Sequence, residues 1–297
     1  MSRPAAFASA TSTKPPGRLA AWIGWLRHDK RALVSLSLIV LLALLSLAAP
    51  WIAPWDPSAQ DLDLMLAPPS AVHWLGTDDL GRDTFSRLLY GAWPSLYGSV
   101  LAVTVALVLG IPVGLLAGFL GGWTDEFTGR LIDTLLSFPA ITLAVAITGA
   151  LGVGLTNGMI AVGIVFSPLI ARLVRGQAMV VRHELYVDAA RCFGASPLHI
   201  VFRHVLPNSA QPVIVQASLL LAAALLAEAS LSFLGLGVQP PAASWGSMLA
   251  RAYQSMEIAP EQMYAPGLAI LFTALSFNAL GESLRTQLDP TQRHGGR

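Results

Sequence analysis

Little in this chain is arranged for covalent chemistry. Its six histidines, His28, His73, His183, His199, His204 and His294, include no H-E-x-x-H pair. His199 and His204 stand five apart rather than i, i+4 on one helical face, so the sequence gives no reason to expect a zinc site. The single cysteine, Cys192, can form neither an internal disulfide nor a paired redox motif. There is no G-x-x-x-x-G-K-[ST] phosphate loop. The only lysines, Lys14 and Lys30, precede the first apolar run, so ATP hydrolysis on this chain is not expected. Gly152-Val153-Gly154 lacks a third glycine and follows no strand pattern, which makes it turn chemistry rather than a dinucleotide fingerprint. Two features remain: Glu228 inside a long apolar run, and the charged stretch from Arg182 to Pro197.

The elements that carry them belong in a bilayer. The chain has 297 residues, 54% hydrophobic and 12% charged, and its mean hydropathy is +0.61, too apolar for an ordinary soluble domain. A span needs about 20 apolar residues, and such runs can be counted. Ala32–Ile52 is the first and Ser95–Phe119 the second, with Gly110 and Pro112 inside it. Thr134 to Ala171 has no charged side chain; at 1.5 Å per residue this stretch is about 57 Å long, too much for one crossing. With Gly152, Gly154, Asn157 and Gly158 as the turn, it divides into spans at about 134–152 and 156–174. Ser209–Gly235 and Gln262–Gly281 complete six. The predicted fold class is therefore all-α integral membrane, with six transmembrane helices and both termini on one side.

Charge selects the side. Fifteen of the eighteen Lys and Arg residues fall in the N-terminal segment, the second-to-third and fourth-to-fifth connections and the C-terminal tail; the opposite face has Arg82, Arg87 and Arg251. By the positive-inside rule both termini are cytoplasmic. The net charge of +1 creates no basic field for nucleic acid. A cleaved signal peptide is the rival reading of the first span, but that run is long, follows 31 residues, and has Pro50 directly after Ala48-Ala49 where cleavage would be needed. The expected organisation is a flexible cytoplasmic segment 1–31, the first helix 32–52, an outward-facing segment 53–94, a membrane core 95–282 with five further spans and the loop 182–208, and a cytoplasmic tail 283–297. In 53–94, Asp56, Asp61, Asp63, Asp78, Asp79 and Asp83 stand against Arg82 and Arg87. This reads as a solvated helical loop capped by Thr77 and Asp78, or as a surface for another protein.

The longest internal cytoplasmic connection reads as two short helices. The first is amphipathic to Phe193 and closes at Gly194, which can take the left-handed conformation. Ser196 caps the second, Pro197 fits its first turn, and Pro207-Asn208 ends it before the fifth span. Ala189 and Ala190 leave the surface flat enough for a partner, with Asp188 and Arg191 as charges at its rim. A solvated interfacial loop is the alternative.

Asp188-Ala189-Ala190, then Gly194, then Leu206-Pro207 resembles the EAA loop of permease subunits in binding-protein-dependent ATP-binding-cassette (ABC) importers, E-A-A-x-x-x-G followed by I-x-L-P, with Asp for the Glu and His204 at the Ile position. The stretches 73–83, 186–194, 202–208 and 227–237 are similar to the dipeptide/oligopeptide/nickel branch, in its second, C-type, permease. The resemblance implies a coupling helix between helices 4 and 5, with Tyr186, Asp188, Ala189, Ala190, Arg191, Gly194, Leu206 and Pro207 coupling to an ATPase. It further implies a second (B-type) permease, one or two ATPase subunits carrying ATP and Mg, a periplasmic or lipid-anchored solute-binding protein, membrane lipid around the chain, and a place in the bacterial inner membrane. No cofactor is expected on this chain. Peptides are the expected solute, with nickel, glutathione or opine-type compounds as alternatives.

Two other classes compete. A secondary transporter needs repeated broken helices and a mid-membrane ion site, against which there is one acid, Glu228. A membrane-embedded enzyme needs a convergent His/Asp/Glu constellation, and none is evident. Glu228 is the remaining candidate, as a pathway or permease-interface group, because an ionised side chain costs about 2.5–3.5 kcal/mol within a span. A hydrogen-bonded or protonated group facing the second permease is the favoured of these readings.

Overall fold

The computed structural model describes residues 24–26 and 29–288; the expected segment 1–31 and tail 283–297 lie largely outside them. Five helices are long and apolar enough to cross a membrane, and one bent pair of helices makes up to six crossings. No β-strand occurs among the described residues, only an isolated bridge between Thr77 and Asp83. The all-helical expectation holds, but several elements differ from their predicted form.

Helix α1, Lys30–Ile52, starts at Asp29, whose carboxylate accepts the amides of Arg31 and Ala32. Helix α2, Thr84–Leu120, begins well before the predicted Ser95 because Asp83 caps it through the Ser86 amide. Counting charge-free residues hid this first stretch, which includes Arg87. Thr77 and Asp78, expected as caps, do other work. Thr77 donates to the Leu64 carbonyl, and Asp78 accepts the Leu80 and Arg82 amides at 2.9 and 3.1 Å.

The third crossing is the largest departure. In place of one span over 134–152, helix α3, Gly122–Ser137, and helix α4, Ala140–Leu151, meet at 96°. Pro139 has no amide to give, and it biases Phe138 to an extended backbone, which ends α3 there. Helix α4 alone reaches only about 18 Å. Gly152 and Gly154, at φ +96° and +139°, make the predicted turn into α5, Leu155–Val181.

After α6, Leu185–Cys192, the chain enters α7, Pro197–Phe233, which is continuous where Pro207 was expected to end it. Residues Val201–Val205 form a π turn, and the Leu206 amide reaches back to the Val201 carbonyl. That wider turn directly before Pro207 keeps the helix going past a residue that cannot donate. A short helix not foreseen from the sequence, α8, Trp245–Gln254, precedes the last span, α9, Tyr264–Leu288.

The core is built on α2 against α5. Gly110, Gly114 and Gly118 form a ridge on α2, and a Cβ on each would lie 2.6, 2.5 and 2.5 Å from the carbonyl oxygens of Ser167, Ala171 and Arg175. Gly163 on α5 makes the reciprocal approach, 2.6 Å from the Ala102 oxygen. Lipid is as apolar as leucine, so close backbone approach is what holds such helices together.

Residues 53–83, expected as a solvated loop, fold over the start of α2 as a cap with a charged interior. Arg82 and Arg87 are both buried; Arg82 Nε donates to Asp78 Oδ2 at 2.8 Å, and Arg87 Nε lies 3.3 Å from the same oxygen. Arg87 Nη1 donates to the Pro57 carbonyl at 2.7 Å, while Arg251 of α8 pairs with Asp79 at 3.0 Å. His73 Nδ1 lies 2.9 Å from Asp83. Asp78, Asp79, Arg82, Arg87 and Arg251 are here each other's ligands, which lets them leave water, while Asp56, Asp61 and Asp63 stay exposed.

Four substitutions can be compared by thermal unfolding of the purified protein in detergent. Gly114→Ala should destabilise by about 1–3 kcal/mol, because the new methyl group has no room. Gly176→Ala on α5, with open space at its Cβ, should be neutral or gain up to about 1 kcal/mol. Arg87→Ala should cost about 3–5 kcal/mol by leaving a buried carboxylate short of a partner, whereas Asp56→Ala on the exposed rim should change little.

Candidate functional site

The loop 182–208 lies at the end of α2 and α5 opposite the cap. Its first helix, α6, is short and amphipathic: Val187 is buried in the bundle core together with Ile200 and Val205 from the start of α7. The opposite face is open. Leu185 is 85% and Phe193 92% exposed, and Leu198 and Phe202 are also exposed. Gly194 takes φ +79°, and the Ala195 amide closes back on the Ala190 carbonyl at 3.0 Å, so the chain reverses as predicted. Nothing lies within 4 Å of a Cβ placed on Gly194, so the backbone conformation alone calls for glycine there. Ser196 accepts the His199 amide and caps the new turn.

The eight residues singled out in this loop divide between surface and frame. Asp188, Ala189 and Arg191 are exposed, and Ala190 is half-buried against the core. Asp188 and Arg191 pair with each other at 3.1 Å, and the Arg191 guanidinium also sits 5.8 Å above the Phe119 ring at the end of α2. Tyr186 is half-exposed; its hydroxyl accepts from Asn208 at 3.2 Å, and its ring lies 5.6 Å from His204. Leu206 is partly buried and Pro207 exposed just after the π turn. The exposed apolar residues Leu185, Phe193, Leu198 and Phe202 were not singled out beforehand. An amphipathic pattern tells which positions share a face, but not which face the bundle covers.

Glu228 stands elsewhere, toward the cap end of α7. It is 1% exposed and enclosed within this chain rather than on its surface. Ser95 of α2 donates to Oε2 at 3.1 Å and Ser232 donates to Oε1 at 2.7 Å. Ser95 also receives the Trp245 amide at 3.2 Å, and Ser244, at the head of α8, lies 3.4 Å from Ser232. The indole of Trp245, itself buried, donates to the Leu88 carbonyl at 3.0 Å. Glu228 thus joins α2, α7 and the start of α8. An apolar cleft of about 220 Å³ opens on another side of α7, where Leu226, Ala227, Ser230 and Leu231 face Ala140, Ile141, Val162 and Phe166, and Glu228 does not line it. The three serines were legible only as small residues of a span, since nothing local marks residues 133 positions apart as partners.

Comparison with known proteins agrees with this architecture. Residues 110–294 match the model of the binding-protein-dependent transport system inner membrane component, and residues 21–69 match the N-terminal TM domain of oligopeptide transport permease C. A probable D,D-dipeptide transport system permease protein, DdpC, of Escherichia coli K12 is 43% identical over 94% of this chain and 93% of its own length. The glutathione transport system permease protein GsiD of E. coli O1:K1 is 43% identical over 89% of this chain and 88% of its own length. Among solved structures, a chain of the MetNI methionine ABC transporter in an inward-facing conformation aligns with 68% of this chain and 96% of its own, at a TM-score of 0.54 and 20% identity, a likeness of fold. The chain belongs to the binding-protein-dependent transport system inner membrane component family, as a multi-pass inner-membrane permease subunit of an ABC importer of the peptide group.

Proposed function

We propose that the loop 182–208 is where separate ATPase subunits dock, and that α6 receives their movement. The observation that carries this reading is the division of the loop into an exposed apolar surface, Leu185, Phe193, Leu198 and Phe202, and a buried anchor, Val187, Ile200 and Val205. An apolar patch on a polar connection is suited to a protein partner, and an anchor in the core carries its displacement into the spans. Asp188, Arg191 and Tyr186 then act by holding α6 to α2 and α7, and Gly194 by setting the angle between α6 and α7. ATP and Mg bind to the partners. On this reading the loop and both termini face the cytoplasm, which the arginine distribution supports, and the cap 53–83 faces the periplasm, where a solute-binding protein delivers cargo. A second permease completes the pathway. The cargo is a short peptide or peptide-like solute, the class named for both relatives.

Glu228 acts as a structural hydrogen-bonder that keeps α8 on α2 and α7. It is not a ligand for the solute, because its oxygens are already engaged by this chain's own serines.

Affinity purification of the chain from solubilised native membranes should bring down a second permease and one or two ATPases. Recovery of the chain alone, transporting without ATP, would replace this reading with a secondary transporter. Gly194→Val should leave the chain inserted while lowering solute uptake per ATP hydrolysed by at least about tenfold, since a β-branched residue is strained at positive φ; unchanged uptake at full ATPase occupancy would remove the corner from the mechanism. Glu228→Gln should retain assembly and uptake within about twofold, and Glu228→Leu should lose both together. Loss of uptake in Glu228→Gln with assembly intact would place the carboxylate in the pathway.

A further inference from the structure

Among the described residues, the bent crossing leaves one face of α3 without a partner. The buried side of this helix, with Asp125, Gly129 and Ile132, is fastened to α5: Asp125 Oδ2 accepts from Arg175 at 3.0 Å, and Asp133 pairs with Arg172. Its other side carries Trp123, Phe127 and Leu131 at i, i+4, i+8, all exposed, Trp123 to 84%. Leu116 and Leu120 at the end of α2, and Phe138 and Ile141 where α4 begins, are exposed as well. Trp123 and Phe127, with Glu126 and Arg130, also border a shallow groove of about 170 Å³.

The level of this helix can be placed along the membrane normal. Arg172 and Arg175 lie about 26–30 Å along α5 from Leu155 at 1.5 Å per residue, one hydrocarbon thickness. Near the start of α5, on the cap side, α2 presents exposed Trp93 and Tyr97; from there to Leu120, next to Trp123, is about 35–40 Å. Aromatic residues so spaced mark the two edges of a bilayer. A helix at that level, crossing the direction of the span that follows it at 96°, with aromatic residues on one face and a long arginine beside them, has the composition of one lying in the headgroup region. Arg130 is held by Glu126 at 2.6 Å and is well exposed, so its guanidinium can reach phosphate oxygens while its stem stays on the apolar stripe.

We propose that α3 is an interfacial helix and that phospholipid of the leaflet on the loop 182–208 side covers its Trp123–Phe127–Leu131 face. Acyl chains lie against the two aromatic rings, and Arg130 meets the phosphodiester. Helix α4, about 18 Å long, then covers only the far part of the bilayer, and α3 carries the chain from the near headgroups down to its start. The inference rests on membrane embedding and geometry, and is independent of how the ATPase docks.

The test is fluorescence quenching in the assembled complex, reconstituted in vesicles of phosphatidylethanolamine and phosphatidylglycerol doped with phosphatidylcholine brominated either near the headgroup end or near the methyl end of its chains. The signal of Trp123 is taken as the difference between the wild-type protein and Trp123→Phe, a surface substitution that preserves the aromatic stripe. That difference should be quenched at least about twofold more by the shallow bromines than by the deep ones, and be protected from aqueous iodide. A difference signal insensitive to both lipids would show the face covered by protein. Quenching mainly by iodide would show it in water, and stronger quenching by deep bromines would put the helix within the hydrocarbon. Any of these three results would overturn the proposal.

Discussion

Backbone-to-backbone contact between α2 and α5 is the constraint on which the rest of this fold depends. Burial of apolar surface does little to bring helices together where the surrounding lipid is itself apolar, so stability must come from close packing and from internal hydrogen bonds. The ridge of Gly110, Gly114 and Gly118 supplies the packing, and the carbonyls of α5 lie where side chains would otherwise be. Because the contact follows both helices from Gly98 beside Met159 to Gly118 beside Ala178, α2 and α5 form one stiff unit reaching from the cap to the loop 182–208. Other elements are positioned by what they attach to along it.

The attachments differ by depth. At the cap end they are ionic, with Asp78 shared between Arg82 and Arg87 and with Asp79 tied to Arg251. Next inward stands the neutral-donor cluster of Ser95, Ser232 and Ser244 around Glu228, which binds α8 to the spans. At the opposite end Asp125–Arg175 and Asp133–Arg172 fasten α3, and Arg191 over Phe119 fastens α6. The buried and half-buried charges are paired, Arg82 with Asp78 inside the cap and Arg87, Arg175 and Arg251 with carboxylates of another segment, which is the condition for a charge to remain where water is scarce. A displacement of α6 under the proposed docking would therefore reach α2 and α7 through Val187, Tyr186 and Arg191, without passing through a flexible joint.

The bent crossing and the π turn show the same physics of the missing amide with opposite outcomes. At Pro139 the preceding residue takes an extended backbone and the helix direction changes by 96°. At Pro207 the helix widens by one residue just upstream and continues. Neither proline differs from the other in its own chemistry. The neighbours decide: α3 has charged partners on α5 that hold it across the bundle, whereas the start of α7 is drawn into the core by Ile200 and Val205.

Much was legible in the residues themselves. Apolar run length gave membrane helices and the turn at Gly152–Gly154, because the bilayer thickness imposes its length on any sequence. The glycine corner at Gly194 and the Ser196 cap were legible because they are local, each needing only its own backbone conformation or a donor three residues away. What only the tertiary structure decided is every pairing across distance. Asp78 and Arg87 read as exposed charges until the cap folds over them, and only the fold sets Ser95 beside Glu228 from 133 positions away. The same holds for the loop 182–208, where periodicity made its first helix amphipathic to Phe193, yet only packing against the bundle buried Val187 and left Leu185 and Phe193 exposed. Local rules fix which residues share a face, and the sum of long-range contacts fixes what that face meets.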